Sequence, residues 1–308
     1  MITKNQPSLK TGQQNQERGS PIKLSVVIAC YNAANTIGEQ LEAFSGQSWS
    51  QPWEVIVVNN RCTDDSMTVV EQYLRRMPNL RMVDAIEKQG QPHALNVGAR
   101  AARGEFLAFC DADDVVGAGW VAAMGTALAK HHFVSGPHEV ARLNSSALQK
   151  NRGNAQPTGV QQYTYPPYLP HAGSGNMGVR RSVFEALGGF DESMAALFDT
   201  DLCWRAQLAG TPLEPAPGAI LHVRYRDTAG SLYRQARSYG EWNVFIYKRY
   251  LPHGMPKLHW KHGVASWIEL VLGVPALFSP VARTSWLWSL GWRVGRLKGC
   301  IKYGVLAL

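Results

Sequence analysis

The chain has 308 residues, of which 45% are apolar and 18% charged. That balance is ordinary for a globular protein and excludes collagen-like, wholly disordered and small disulfide-stapled chains. A chain this long buries about three quarters of its unfolded surface, so it needs neither metal nor disulfide to fold. The formal charge of +8 is uneven: residues 233–308 hold eleven basic side chains against Glu241 and Glu269, a net +9, whereas residues 1–232 sum to −1. Such asymmetry points to an anionic partner, either membrane lipid or nucleic acid. Five widely spaced cysteines without a CxxC pair fit free thiols in a reducing compartment.

Residues 1–21 are polar, lack the apolar core of a signal peptide, and are expected to form a disordered lead-in. Leu24 to Ala29 is a continuous apolar, β-branched run, the pattern of a strand buried on both faces. Ile37, Leu41 and Phe44 then recur at helical spacing behind Asn35 or Thr36 as cap. Val55 to Val58 predicts a second strand, and Thr63 a cap for a helix carrying Met67, Val70 and Leu74. Leu80 to Val83 reads as a third strand, and Ala94 to Ala102 as a short helix stopped at Gly104. Phe106 to Cys110 predicts a fourth strand, running straight into Asp111-Ala112-Asp113-Asp114. Leu143 to Pro170 is polar and Pro-rich and reads as a long loop. Helical patterning resumes over Val179 to Leu187 and over Asp199 to Ala209, and Ile220 to Val223 is one more strand.

Strands alternating with helices predict an α/β fold: a mostly parallel, Rossmann-like sheet with helices on both faces. Ligands bind such sheets beyond the carboxyl ends of the strands. Tyr31-Asn32, Asn59-Asn60-Arg61 and Asp111 to Asp114 should therefore converge on one edge.

Asp111 and Asp113, one residue apart at a strand end, can share one hard cation such as Mg²⁺ or Mn²⁺. A bare DxD is usually a solvated turn; its place after a buried strand is what favours metal. Asp199 and Asp201 point about 200° apart on a helix, so one can face the site while the other caps or pairs. A carboxylate there can serve as general base for an incoming hydroxyl. His222, at a strand end, is a candidate metal or diphosphate ligand, with Arg224 and Arg226 nearby to hold phosphate. Gly173 to Gly178 matches GxGxxG literally, but a Pro-rich loop rather than a strand precedes it, so it is not read as a dinucleotide fingerprint.

Taken together, SVVIACYN (Ser25–Asn32), EVIVVNNRCTDDS (Glu54–Ser66), GQPHALNVGARAARGEFLAFCDADD (Gly90–Asp114), GGFDE (Gly188–Glu192) and DTDLCWRAQLAG (Asp199–Gly210) resemble the family 2 glycosyltransferases. The resemblance covers about residues 22–225. It implies a GT-A type fold and an inverting, metal-dependent transfer from a nucleotide-diphospho-sugar to an acceptor hydroxyl. By that resemblance Tyr31, Asn32 and Asn59 line the nucleotide pocket, together with Arg61, Asp111 and Ala112. Asp113 holds a divalent metal (Mn or Mg) with Asp111 and, as a late contact, His222; Asp199 is the base, with Asp201 as the other candidate. Two departures stand out. The family usually has Asp where this chain has Asn59, and a Glu-Asp pair where it has Phe198-Asp199. They leave open the alternative of an inactive nucleotide-sugar-binding protein. A nucleotidyltransferase would need a Gly-rich basic loop after the first strand, where this chain has ACYNAANT.

The expected organisation is a lead-in over 1–21, a catalytic domain over 22–232 and a basic, Trp-rich helical tail over 233–308. In the tail six tryptophans are interleaved with Lys and Arg, and Glu269, Pro275 and Pro280 interrupt its most apolar stretch. These features favour a segment lying on, or re-entrant in, an anionic membrane surface over one that spans it or one that packs as a soluble helix. No nucleic-acid motif accompanies them, so nucleic acid is not an expected partner. The expectation is a peripheral protein at the cytoplasmic face of the membrane, acting on a lipid-linked or cell-envelope glycan.

Overall fold

The structure, a computed structural model, describes residues 21–307. The expected lead-in therefore lies, Pro21 apart, outside the described residues. The apolar runs form the anticipated strands: β1 (Leu24–Cys30), β2 (Trp53–Asn59), β3 (Leu80–Asp84) and β4 (Phe106–Asp111). Between them lie α1 (Ile37–Ser45), α2 (Ser66–Leu74) and α3 (Gln91–Ala101). The N-cap of α2 is Asp65 rather than Thr63, and Leu74 is exposed, because only Ser66 and Val70 of that helix are buried.

The chain continues through β5 (Val115–Val116), α4 (Trp120–Lys130), β6 (Phe133–Ser135), β7 (His138–Glu139) and α5 (Ser146–Arg152). The long polar segment is thus not all loop: Ser145 caps α5 by accepting from the Leu148 N–H. Next come β8 (Asn176–Arg180), α6 (Arg181–Ala186), α7 (Phe198–Leu208), β9 (Glu214–Pro215) and β10 (Leu221–His222). The helix expected from Val179 begins only at Arg181; Val179 and Arg180 belong to β8, which abuts α6 with no turn between.

Among the described residues the main sheet has seven strands in the order β3-β2-β1-β4-β8-β6-β9. β3, β2, β1 and β4 run parallel, and β8 pairs antiparallel with both β4 and β6. A small second sheet, β5-β10-β7, lies beside it. Strand alternation divides the core. Val27, Ile56, Val58, Leu107 and Phe109 face one apolar cluster, while Val26, Ile28, Val55, Val57 and Ala108 face the other. Both faces are covered, which is why the strands read as unbroken apolar runs. Each fully buried Val or Leu contributes about 1.5–3 kcal/mol.

The basic tail forms α8 (Ala229–Tyr250), α9 (Trp260–Leu272) and α10 (Pro280–Tyr303). The division drawn at residue 233 falls inside α8, and Val244, Ile246, Tyr247 and Tyr250 join the same core cluster as β4. α10 lies along α8 on a stripe of glycines at every fourth position. A Cβ on Gly295 would stand 2.0 Å from the Arg237 carbonyl oxygen, and one on Gly291 2.6 Å from that of Tyr233. No described helix is long and apolar enough to cross a membrane.

Candidate active site

The parallel strands β1, β2 and β4 end at one edge, as the alternation requires. Two of the turns there carry left-handed backbone at non-glycine residues, Asn32 (φ 49°) and Arg61 (φ 64°); a third such residue, Leu197 (φ 60°), begins α7. Strained backbone of this kind persists only where surrounding contacts fix it, and it gathers at functional sites.

The contacts are present. Asn32 Oδ1 accepts from the Thr63 N–H at 2.8 Å, joining the turns after β1 and β2. Asn59 donates through Nδ2 to Asp84 at 2.9 Å and accepts from the Cys62 N–H at 3.0 Å. Arg61 donates to the carbonyl of Glu87 at 2.7 Å and to that of Ile86. Tyr31 is half exposed. At the position of the first departure, then, an amide presents the neighbouring Asp84 carboxylate at the end of β3.

Asp111, Asp113 and Asp114 each bring a carboxylate oxygen within 4.8 Å of the others. Asp114 is the third member of the cluster. His222 is not part of it: its Nδ1 bonds Glu139 Oε2 at 2.6 Å. The cluster is crowded, with Asp114 buried, Asp111 partly buried and Asp113 exposed at its mouth. Burial, then the charges of Asp113 and Asp199, push the Asp111 carboxyl up to about 7 against a bond from Gln91. Asp114 is driven well above the carboxylate range, first by burial and then by Asp113 and Asp111. Ala112 is buried between the acids. The turn is clamped by Arg224, whose backbone N–H donates to Asp114 at 2.8 Å and whose Nε donates to the Asp113 carbonyl at 3.0 Å. The charges of Arg226 and Arg224 both reach Asp113.

Gly175, from the discounted glycine motif, has a structural use here. A Cβ at that position would stand 2.8 Å from Asp111 Oδ2, so glycine lets the chain lie against the acidic cluster without displacing that carboxylate. Its neighbour Ser174 donates its N–H to Asp199 Oδ2 at 3.2 Å, and the Thr200 N–H donates to Oδ1 at 2.8 Å. The segment thus bridges the acidic cluster and the first turn of α7. Burial raises the Asp199 carboxyl, against those two N–H bonds.

Asp201 faces the other way. It is fully buried and held by Arg205 at 2.7 Å, Arg249 at 2.8 Å and the Tyr250 hydroxyl at 2.9 Å. With its oxygens taken by three donors, it is a structural acid that ties α8 to α7. Phe198, the second departure, is a core residue set edge-on to Phe190 at 5.3 Å. Sequence reasoning missed the tail's contribution. Tyr239 of α8 is raised to about 12 by burial and then by the charges of Asp199 and Asp111. Trp288 of α10 packs edge-on to Tyr239 at 6.2 Å, and Arg152 lies over the Trp288 ring at 3.7 Å. No local signal marks these residues, because they come together only through the packing of α8, α10 and α5.

Comparison with known proteins agrees with this architecture. The model of glycosyl transferase family 2 matches residues 25–188. A poly(ribitol-phosphate) beta-glucosyltransferase of Bacillus spizizenii is 32% identical over 98 residues, 31% of this chain but only 16% of that protein. The uncharacterized glycosyltransferase YwdF of Bacillus subtilis is 26% identical over 60% of this chain and 68% of its own length. Among solved structures, the mannosyltransferase PcManGT from Pyrobaculum calidifontis, in complex with GDP-Man and Mn²⁺, superposes with a TM-score of 0.60 at 19% identity, covering 92% of this chain and 90% of that one. That last likeness speaks to the fold alone, which is of GT-A type. With its model matched over more than half of the chain, the protein belongs to glycosyl transferase family 2.

Proposed function

We propose that the protein moves a sugar from a nucleotide-diphospho-sugar to an acceptor hydroxyl, with inversion at the anomeric carbon. The observation that carries this reading is the bridge from Gly175 on the acidic cluster to Ser174 on Asp199, which joins a cation-binding group and a base at one strand edge.

The donor set fits a hard divalent cation. Three oxygen ligands converge, and Asp111 and Asp114 hold raised carboxyls that a cation would bring back into the ionised form. Mn²⁺ or Mg²⁺ held by Asp111, Asp113 and Asp114 would neutralise charge on the leaving diphosphate. Arg224 and Arg226 add fixed positive charge on the same side. Asn59, Asp84 and Tyr31 receive the base and ribose; Asp84 takes over the acceptor role that a carboxylate at residue 59 would fill. Asp199 accepts the proton of the acceptor hydroxyl as the new C–O bond forms and the bond to the diphosphate breaks. Its two backbone N–H bonds hold it in place, and its raised carboxyl suits a base that works near neutrality.

The acceptor we propose is a cell-envelope glycan. Support comes from the Bacillus spizizenii relative, a poly(ribitol-phosphate) beta-glucosyltransferase. Asp199→Asn tests the base. Turnover should fall by about 10²–10⁴ while donor affinity is kept. The acid limb of the wild-type kcat profile should lie above the ordinary carboxylate value, because activity is lost as the pH drops through the raised Asp199 carboxyl. A variant with full turnover would overturn the assignment.

A further inference from the structure

We propose that the outer face of α9 and the turn after it form a docking surface for an anionic lipid bilayer. Trp260, Val264, Ile268 and Leu272 recur at every fourth position of α9, one continuous ridge along the helix. They are exposed to 56%, 44%, 54% and 74%, and Phe278 in the following turn stands 91% in solvent. The opposite side of α9 is tied down. Gly263 and Leu270 are buried, Arg293 of α10 donates to the Ser266 carbonyl at 2.8 Å, and Trp286 donates to that of Leu270 at 2.9 Å. The ridge is therefore a fixed surface of the folded protein. A contiguous apolar face of this kind on a monomer marks an interaction site.

Charge selects the occupant. Lys257 and Lys261 are exposed at the N-terminal end of the ridge, and Arg283 is exposed just past the turn. Of the two acids of the segment, Glu241 is engaged by Lys298 and Lys302 at 2.8 Å each, while Glu269 is largely exposed, 3.9 Å from Arg293, and leaves the three cations in excess. An apolar ridge with a tryptophan at its margin and lysines at its end fits the boundary between acyl chains and anionic headgroups. A second copy of the chain fits less well, since a two-fold contact would bring the same basic margin against itself. No described helix is long and apolar enough to cross a membrane.

The test is sedimentation of the full-length protein with phosphatidylcholine vesicles, with and without phosphatidylglycerol. Binding should require the anionic lipid and weaken as salt rises. Leu272→Asp with Phe278→Asp should weaken it about tenfold or more. Lys257→Glu with Lys261→Glu should weaken it as well. Unchanged circular dichroism and melting temperature, together with retained donor-dependent release of nucleoside diphosphate, show that the variants are folded. The proposal is overturned if wild type ignores every vesicle, partitions equally into neutral and anionic ones, or binds as well with the two aspartates as without. It is equally overturned if light scattering shows a dimer, broken by the same two aspartates, that binds no lipid.

Discussion

Asp199 and Asp201 sit two positions apart in the first turn of α7, and their surroundings give them opposite work. Asp201 is sealed from solvent between Arg205 and Arg249, and Arg249 also holds Asp191 at 2.8 Å. Removing one partner of such a buried pair typically costs about 3–5 kcal/mol, because the other charge is left stranded. Asp199 instead has no cationic partner: the Ser174 and Thr200 N–H groups and the Thr200 side chain bond it, and it remains available as an acceptor. The same contrast governs Asp111. Its ordinary value is 3.8 and burial lifts it to about 7, so the folded protein binds this proton more tightly than the unfolded chain does. Its contribution to stability is complete at pH below 3.8 and is lost progressively until pH has risen through about 7. Without metal, the acidic cluster is therefore an increasing burden as pH rises. Mn²⁺ should raise the melting temperature more at pH 8 than at pH 5.5, read by thermal shift; an equal gain at both would place the cation elsewhere.

At the level of elements, β1 to β4 were legible because a strand buried on both faces must be apolar throughout, and their ends delivered Asp111 and Asp113 to the expected edge. Asn176 to Arg180 was not legible as a strand. β8 abuts α6 without a turn residue, so Val179 completes a helical spacing that the sheet overrides by pairing it with Leu107 and Phe133. Ser174, Gly175 and Tyr239 were hidden for another reason: each reaches the site by a close approach between distant segments, which leaves no periodic trace. The glycine stripe of α10 has the same character. Gly295→Val should destabilise the protein by about 3 kcal/mol or more, seen in urea unfolding, because its Cβ would meet the Arg237 carbonyl at 2.0 Å and the backbones cannot separate without opening the α8–α10 contact. A variant as stable as wild type would show that α10 does not pack there.

Across the whole molecule, composition separated a neutral body from a +9 segment, yet the fold joins them. α8 shares the core of β4 and Arg249 locks onto α7, so the basic segment is built into the catalytic body and does not hang from it. Of its basic side chains, Lys257, Lys261 and Arg283 stand exposed beside the face that α9 turns outward. The central claim is that this edge of the sheet holds a metal-assisted sugar donor. The direct test is release of free nucleoside diphosphate from a panel of sugar nucleotides, with Mn²⁺ or Mg²⁺ and with EDTA, for wild type and Asp113→Ala. Metal-dependent release from one donor is expected, abolished by EDTA and reduced at least about a hundredfold in the variant. Release that survives both EDTA and Asp113→Ala would contradict it.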